Sequence, residues 1–349
     1  MTCEGRQLSV FLDPGARILR VTLPEPARTL QRPSAVNLRV NVGSVSLKNP
    51  IIAASGTFGC GVEFAHLVDL DRLGGLVVKG LSREPMAGLP PPRMCETPSG
   101  MLNAIGLQNV GVRAFVAEKL PQLARYQTAI IANVFGGCVS DYVEVIRVLE
   151  DTEGLTAYEL NISCPNVERG GAEYSTNPDL TAEVVSAARR AAAKRPLWVK
   201  LSPVVGTIGL IAKAAESSGA DALVIANTYP AMCLDVHNRR SRLGSTTGGL
   251  SGPAIKPITV RLVHEASRVT NIPIVGLGGI ESPADVAEYL LVGASAVEVG
   301  TAHFADPRAS ERLTAGLETW CQDHNLFDIS ELQGSFRTEL SGNESPKDL

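Results

Sequence analysis

The sequence has no C-x-x-C pair, no long apolar run, no basic stripe and no G-x-G-x-x-G following a strand-like segment. Each absence removes a class of function. Seven cysteines (Cys3, Cys60, Cys95, Cys138, Cys164, Cys233 and Cys321) lie at scattered spacings, which supports neither a zinc ribbon nor a ferredoxin-like cluster. An odd set of unpaired thiols reads as an intracellular, reduced protein. No run approaches the roughly 20 apolar residues that span a membrane. A net charge of −4 leaves nothing to track nucleic acid. None of the five histidines falls at a strand end. The first 36 residues lack the apolar core of a secretory signal.

What is present is an alternation of strand-like and helix-like segments over 349 residues. Short β-branched runs recur at 50–54, 75–79, 129–133, 156–161, 197–201, 222–226, 273–276 and 295–299. Several are continuously apolar, as parallel strands buried on both faces are. Helical spacing of apolar residues appears at 179–195, 207–220 and 282–294, the last with Ser282 as N-cap before Pro283. Eight such repeats predict an α/β fold of the (β/α)8 TIM-barrel type, with a doubly wound open sheet as the alternative. Residues 80–128 and 227–272 are too long for one helix each and predict lid or hairpin insertions at the C-terminal mouth. The expected organisation is a poorly ordered extension over 1–36, a barrel over 37–320 and a C-terminal tail over 321–349.

The active site of such a barrel lies at the C-terminal ends of its strands. Those ends carry Ser55, Lys79, Asn133, Asn161, Lys200 and Asn227, followed by glycines in "GLGGI" (276–280) and "GT" (300–301). Gly278, Gly279, Gly300 and Thr301 therefore form a candidate phosphate grip. Two lysines could hold anionic oxygens or form Schiff bases. Together with several amides they favour a flat, hydrogen-bonding ligand such as a flavin, whose reduced ring carries negative charge. The knot Asn161-Ile-Ser-Cys164-Pro-Asn166 could hold a metal, a redox thiol, a nucleophile or a proton-transfer base; with no histidine or second cysteine nearby in sequence, a metal is the weakest of these.

Nine segments then carry a resemblance: "NPIIAASGTFG", "ETPSGMLNAIGLQN", "ANV", "ELNISCPN", "VKLSP", "ANT", "TGGLSGPAIKP", "GLGGI" and "VGTAHF". Over about residues 38–318 the chain resembles the catalytic subunit of class 1B dihydroorotate dehydrogenases. Cys164, where class 2 enzymes usually carry serine, and the form of "MLNAIGLQN" point to class 1B. The resemblance implies FMN held by Ser55, Lys79, Gly80, Asn133, Asn161, Lys200, Ala226, Gly252, Gly278, Gly279, Gly300 and Thr301. It implies dihydroorotate at Lys79, at Asn103, Ala104, Ile105, Gly106 and Leu107, at Asn161 and Asn166, and at Asn227 with Thr228. Cys164 corresponds to the base that takes the C5 proton while a hydride leaves C6 for flavin N5. A thiol near its ordinary pKa of about 8.5 can serve there. Cys60 and Cys138 match no role and read as structural. The resemblance further implies a cytoplasmic homodimer joined, as a heterotetramer, to a subunit carrying FAD and a 2Fe–2S cluster that passes electrons to NAD+. Alternatives are a flavin barrel for another dihydropyrimidine, class 1A-like use of a different acceptor, a lysine aldolase and a non-catalytic scaffold.

Overall fold

A computed structural model describes residues 35–162 and 171–337, with side chains from 174 onward in the second stretch. Its first strands, β1 (Val40–Val42) and β2 (Val45–Leu47), form an antiparallel hairpin. Eight strands then close a parallel barrel: β3 (Ile51–Ala53), β4 (Gly75–Val77), β7 (Ala129–Val134), β8 (Ala157–Asn161), β9 (Leu197–Lys200), β10 (Ala222–Ile225), β15 (Ile274–Leu277) and β16 (Ala296–Val299). β16 pairs back onto β3 through Val297 and Ile51, which excludes the open doubly wound sheet. All eight expected strands are found, with limits shifted by one or two residues.

The sequence explains the helices locally. Before helix Pro178–Ala191, Asn177 accepts hydrogen bonds from the amides of Asp179 and Leu180, and proline opens the first turn. Ser282 caps helix Pro283–Leu291 in a reciprocal capping box with Asp285. That helix stops three residues before the expected 294. Gly293 takes φ +110°, and the amides of Gly293 and Ala294 bond back to the carbonyls of Leu290 and Tyr289. The expected tail boundary at 321 falls inside helix Ala309–Asp323. The chain also keeps packing beyond it, with Ile329 and Leu332 buried against the barrel.

The two long insertions build one structure together. Between β4 and β7 lie β5 (Met94–Thr97) and β6 (Gly100–Asn103). Between β10 and β15 lie β11 (Tyr229–Ala231), β12 (Leu234–Asp235), β13 (Arg240–Ser241) and β14 (Gly248–Ser251). A four-stranded antiparallel sheet of order β11-β14-β6-β5 results, with β12 and β13 as a separate hairpin. Residues about 150 apart in sequence thus become neighbours, as in the pair Asn103 and Gly249.

Candidate active site

Side chains alternate along a strand, so every second residue of a barrel strand faces the interior. The lowest interior layer is apolar: Ile52, Val77, Ile131, Ala157, Trp198, Val224, Val275 and Ala296, sealed by Val42, Val45 and Leu47 of the hairpin. Two residues further along five of the eight strands the chemistry changes. Val77 gives way to Lys79, Ile131 to Asn133, Ala157 to Glu159 and then Asn161, Trp198 to Lys200, and Ala296 to Glu298 and then Gly300.

Lys200 is 3 % exposed, and its ammonium is shared by three oxygens. Ser55 Oγ lies at 3.2 Å, Glu159 Oε1 at 3.3 Å and Glu298 Oε2 at 3.4 Å. Asn133 Nδ2 donates to the same Glu159 oxygen and, at 3.4 Å, to Ser55 Oγ. Burial alone would push Lys200 down; the two glutamates outweigh it and hold the ammonium above the ordinary lysine range. Burial, and then the charge of Glu159, hold Glu298 well above the carboxylate range.

The glycine end is shaped for close backbone approach. Gly278 and Gly279 take φ +139° and +68°, which side-chain-bearing residues rarely adopt. A Cβ on Gly279 would stand 2.8 Å from the Gly252 carbonyl oxygen. Tyr289 donates its hydroxyl to the Gly278 carbonyl at 2.7 Å and fixes this turn from behind. His303 does the same for the loop after β16. Its Nδ1 lies 3.1 Å from the Gly300 carbonyl and its Nε2 lies 2.9 Å from Ser310 Oγ. A carbonyl only accepts, so Nδ1 carries the proton and Nε2 accepts from the serine. Burial lowers His303 to about 4, which keeps the ring neutral.

The insertion sheet supplies the remaining wall. Asn103 Nδ2 donates to the Gly249 carbonyl at 3.2 Å. A Cβ on Gly249 would fall 2.1 Å from Thr228 Oγ1 and 3.5 Å from Asn103 Nδ2. Glycine at 249 is what lets Asn103 and Thr228 converge.

One cavity at the mouth gathers almost every site residue expected from sequence. Ser55, Lys79, Gly80, Asn133, Asn161 and Lys200 line it, with Ala226, Gly252, Gly278, Gly279, Gly300 and Thr301. So do Asn103, Ile105, Gly106, Leu107, Asn227 and Thr228. Ala104 is the exception: its side chain packs with Leu102 and Leu243 in the small core of the insertion sheet. Cys164 and Asn166 lie outside the described residues. Cys60 is buried, and burial followed by the Glu63 charge pushes its thiol up to about 11, which suits a structural residue.

The sequence reading missed Glu159 and Glu298. Their signal was the one charged residue in each of two largely apolar strands, on the face of Asn161 and Gly300 respectively. It also missed Met101, Ser251, Glu281 and Phe304 on the cavity wall, for which no local pattern exists. Among the described residues no group of three or more His, Cys, Asp or Glu is placed to hold a metal ion. No described helix is long and apolar enough to cross a membrane.

The residues fit a flavin nucleotide. Asn133 Oδ1 is buried with no partner among the described residues, which suits a ring N–H. Glycine turns line the opposite part of the same cavity, which suits a phosphate.

Comparison with known proteins identifies the family. A protein of Solibacter usitatus described as "Putative dihydroorotate dehydrogenase A (fumarate)" is 56 % identical over 300 residues, covering 86 % of this chain and 98 % of that one. A Pelobacter propionicus protein described as "Dihydroorotate dehydrogenase B (NAD(+)), catalytic subunit" is 48 % identical, with coverage of 86 % and 98 %. A crystal structure of DHODH from Eimeria tenella in complex with ferulenol superposes with a TM-score of 0.74 at 21 % identity, covering 90 % of this chain and 91 % of that one, a likeness of fold. The family model described as "Dihydroorotate dehydrogenase" matches residues 37–320, the span that carries every barrel strand, and so this chain belongs to the dihydroorotate dehydrogenase family.

Proposed function

We propose that the mouth of this barrel oxidises (S)-dihydroorotate to orotate, a step of pyrimidine synthesis, with FMN as the bound cofactor. The observation that carries this reading is the convergence of two lysines, four asparagines and the glycine turns on one cavity. FMN, when bound, accepts the hydride that leaves substrate C6.

The chain's own residues do the rest. Gly278, Gly279, Gly300 and Thr301 offer backbone amides to the phosphate. Ser55, Gly80, Asn133, Asn161, Ala226 and Gly252 line the flavin, and Lys200 offers positive charge where negative charge develops. Lys79 stands between cofactor and substrate. Asn103, Asn161, Asn166 and Asn227, with Thr228 and the backbone of 105–107, hold the polar groups of the pyrimidine ring. Cys164 takes the C5 proton. A thiol whose pKa lies near or slightly above working pH exists largely as thiol, so the rate rises with pH as the thiolate fraction grows. Cys164→Ala should keep FMN and lose about 10²–10⁴-fold in the rate of flavin reduction by dihydroorotate. Flavin reduction at the normal rate in that variant would remove Cys164 from the role.

For the acceptor we favour NAD+, reached through a partner subunit carrying FAD and a 2Fe–2S cluster, in a cytoplasmic heterotetramer built on a homodimer of this chain. The relatives described as NAD(+)-type catalytic subunits support it. The 56 % identical relative described as fumarate-type supports the second reading, direct use of fumarate. Two assays separate them: turnover of the isolated chain with fumarate, and turnover with NAD+ after co-expression with a candidate electron-transfer subunit. Turnover with fumarate alone would overturn the NAD+ reading.

A further inference from the structure

Two glutamates lie directly beneath the proposed flavin site and have no part in the chemistry given above. Glu159 and Glu298 are both fully buried, and the ammonium between them is that of Lys200. If all three were ionised, this fully buried group would carry a net charge of −1 away from water, beneath the half-buried Lys79 of the cavity wall, which is strongly unfavourable.

The hydrogen bonds show where the extra proton belongs. Glu159 Oε1 receives Asn133 Nδ2, Ser55 Oγ at 3.5 Å and Lys200 Nζ at 3.3 Å. Three donors on one oxygen describe a carboxylate. Among the described residues Glu298 receives only Lys200, at 3.4 Å. The other oxygens, Glu159 Oε2 and Glu298 Oε1, are buried and have no partner among the described residues. Both carboxyl groups contact the same ammonium, at 3.3 and 3.4 Å. A proton on Glu298, the carboxyl that meets fewer donors, removes the excess charge.

We propose that Glu159, Lys200 and Glu298 form a neutral unit beneath the ring site, with Glu298 a carboxylic acid and Glu159 a carboxylate. Both glutamates are positioning residues: they fix the Lys200 ammonium at the cavity floor and keep it charged. The cofactor therefore meets a localised cation held in a unit of zero net charge. That arrangement favours negative charge developing on the ring without a net field acting on its oxidised form. Lys79 and Glu281 are further ionisable groups on the cavity wall. The electrochemical part of this inference rests on the flavin reading; the protonation state does not.

Infrared spectroscopy of the full chain, recorded with and without FMN at about pH 8, where exposed carboxyls are ionised, tests the protonation state. We expect a carboxylic-acid carbonyl band in the wild type that disappears in Glu298→Gln. It should also disappear in Glu159→Gln, because Glu298 then becomes the sole counter-ion of Lys200 and ionises. Absence of the band from the wild type overturns the proposal whether or not any variant folds. The flavin midpoint potential supplies the second readout. Each single variant keeps the unit neutral and should leave the potential unchanged; the double variant leaves Lys200 unbalanced and should shift it upward. An upward shift already in each single variant would mean a fully ionised triad and would overturn the proposal. A protein that never binds FMN but shows the band would instead refute the flavin reading alone.

Discussion

The two ends of the barrel interior are made by the same strands, one or two alternations apart, and are built on opposite rules. At the sealed end Ile52, Val77, Ile131, Trp198, Val224 and Val275 interdigitate under the Val42–Leu47 hairpin. At the open end Lys79, Asn133, Asn161 and Lys200 occupy the corresponding inward positions. Apolar side chains satisfy one another and need no ligand. The polar layer leaves buried atoms such as Asn133 Oδ1 without a partner among the described residues. Stability should therefore reside at one end and chemistry at the other, a division that substitutions can break.

Trp198 gives the largest expected effect on stability. It is fully buried at the sealed end. Truncation to alanine should cost about 3–5 kcal/mol, because neighbours on seven other strands cannot collapse into the space. The urea midpoint reports it. A loss below about 1 kcal/mol would show that the sealed end is not what holds the barrel. Trp198→Phe should cost much less, since it also removes an indole N–H that has no partner among the described residues.

Lys200→Met reverses the pattern. It should slow flavin reduction by about 10²–10³-fold, the usual loss when one preorganised charge donor is removed. Removing one ion alone strands its partners, so stability is compared in Lys200→Met/Glu159→Gln, which removes both ions and should lower the urea midpoint less than Trp198→Ala, because a buried pair replaced as a whole is often near neutral. A large drop in stability with normal reduction would contradict the division.

His303 is a mixed case, a mouth residue whose role is structural. Its folded pKa of about 4 lies below the ordinary 6.5. Between those values the unfolded chain binds a proton that the folded chain refuses. Stability is therefore whole above about pH 6.5 and falls as pH drops toward 4, by up to about 3 kcal/mol. His303→Gln should flatten that part of the urea-midpoint profile. An unchanged slope would assign the acid sensitivity elsewhere.

The smallest effect expected is from Tyr289→Phe, which removes one hydroxyl bond to the Gly278 carbonyl. About 1 kcal/mol of stability should go, with a few-fold weaker FMN binding by fluorescence titration if the bond shapes the phosphate turn.

How much of this was legible in the sequence follows from which signals are local. Strand periodicity and strand ends are local, so Ser55, Asn133, Asn161 and Lys200 could be placed before any coordinates. The "SP" at 282–283 announced its helix start for the same reason. Glycine turns are local as well, and Gly278 and Gly279 do take the positive φ values that only glycine tolerates readily. Pairing between distant insertions is not local. Nothing in 80–128 or 227–272 indicated that β6 would lie against β14, and so the packing of Ala104 into that small core was invisible. Glu159 and Glu298 lie between these cases. Their spacing from Asn161 and Gly300 put them on the inward face, but only the closed barrel shows that they meet at Lys200.

The central claim is that the open end binds a flavin and passes it electrons from dihydroorotate. Purified protein should be yellow, and anaerobic addition of dihydroorotate should bleach its flavin absorbance, while dihydrouracil should not. A yellow protein bleached by dihydrouracil and untouched by dihydroorotate would contradict it.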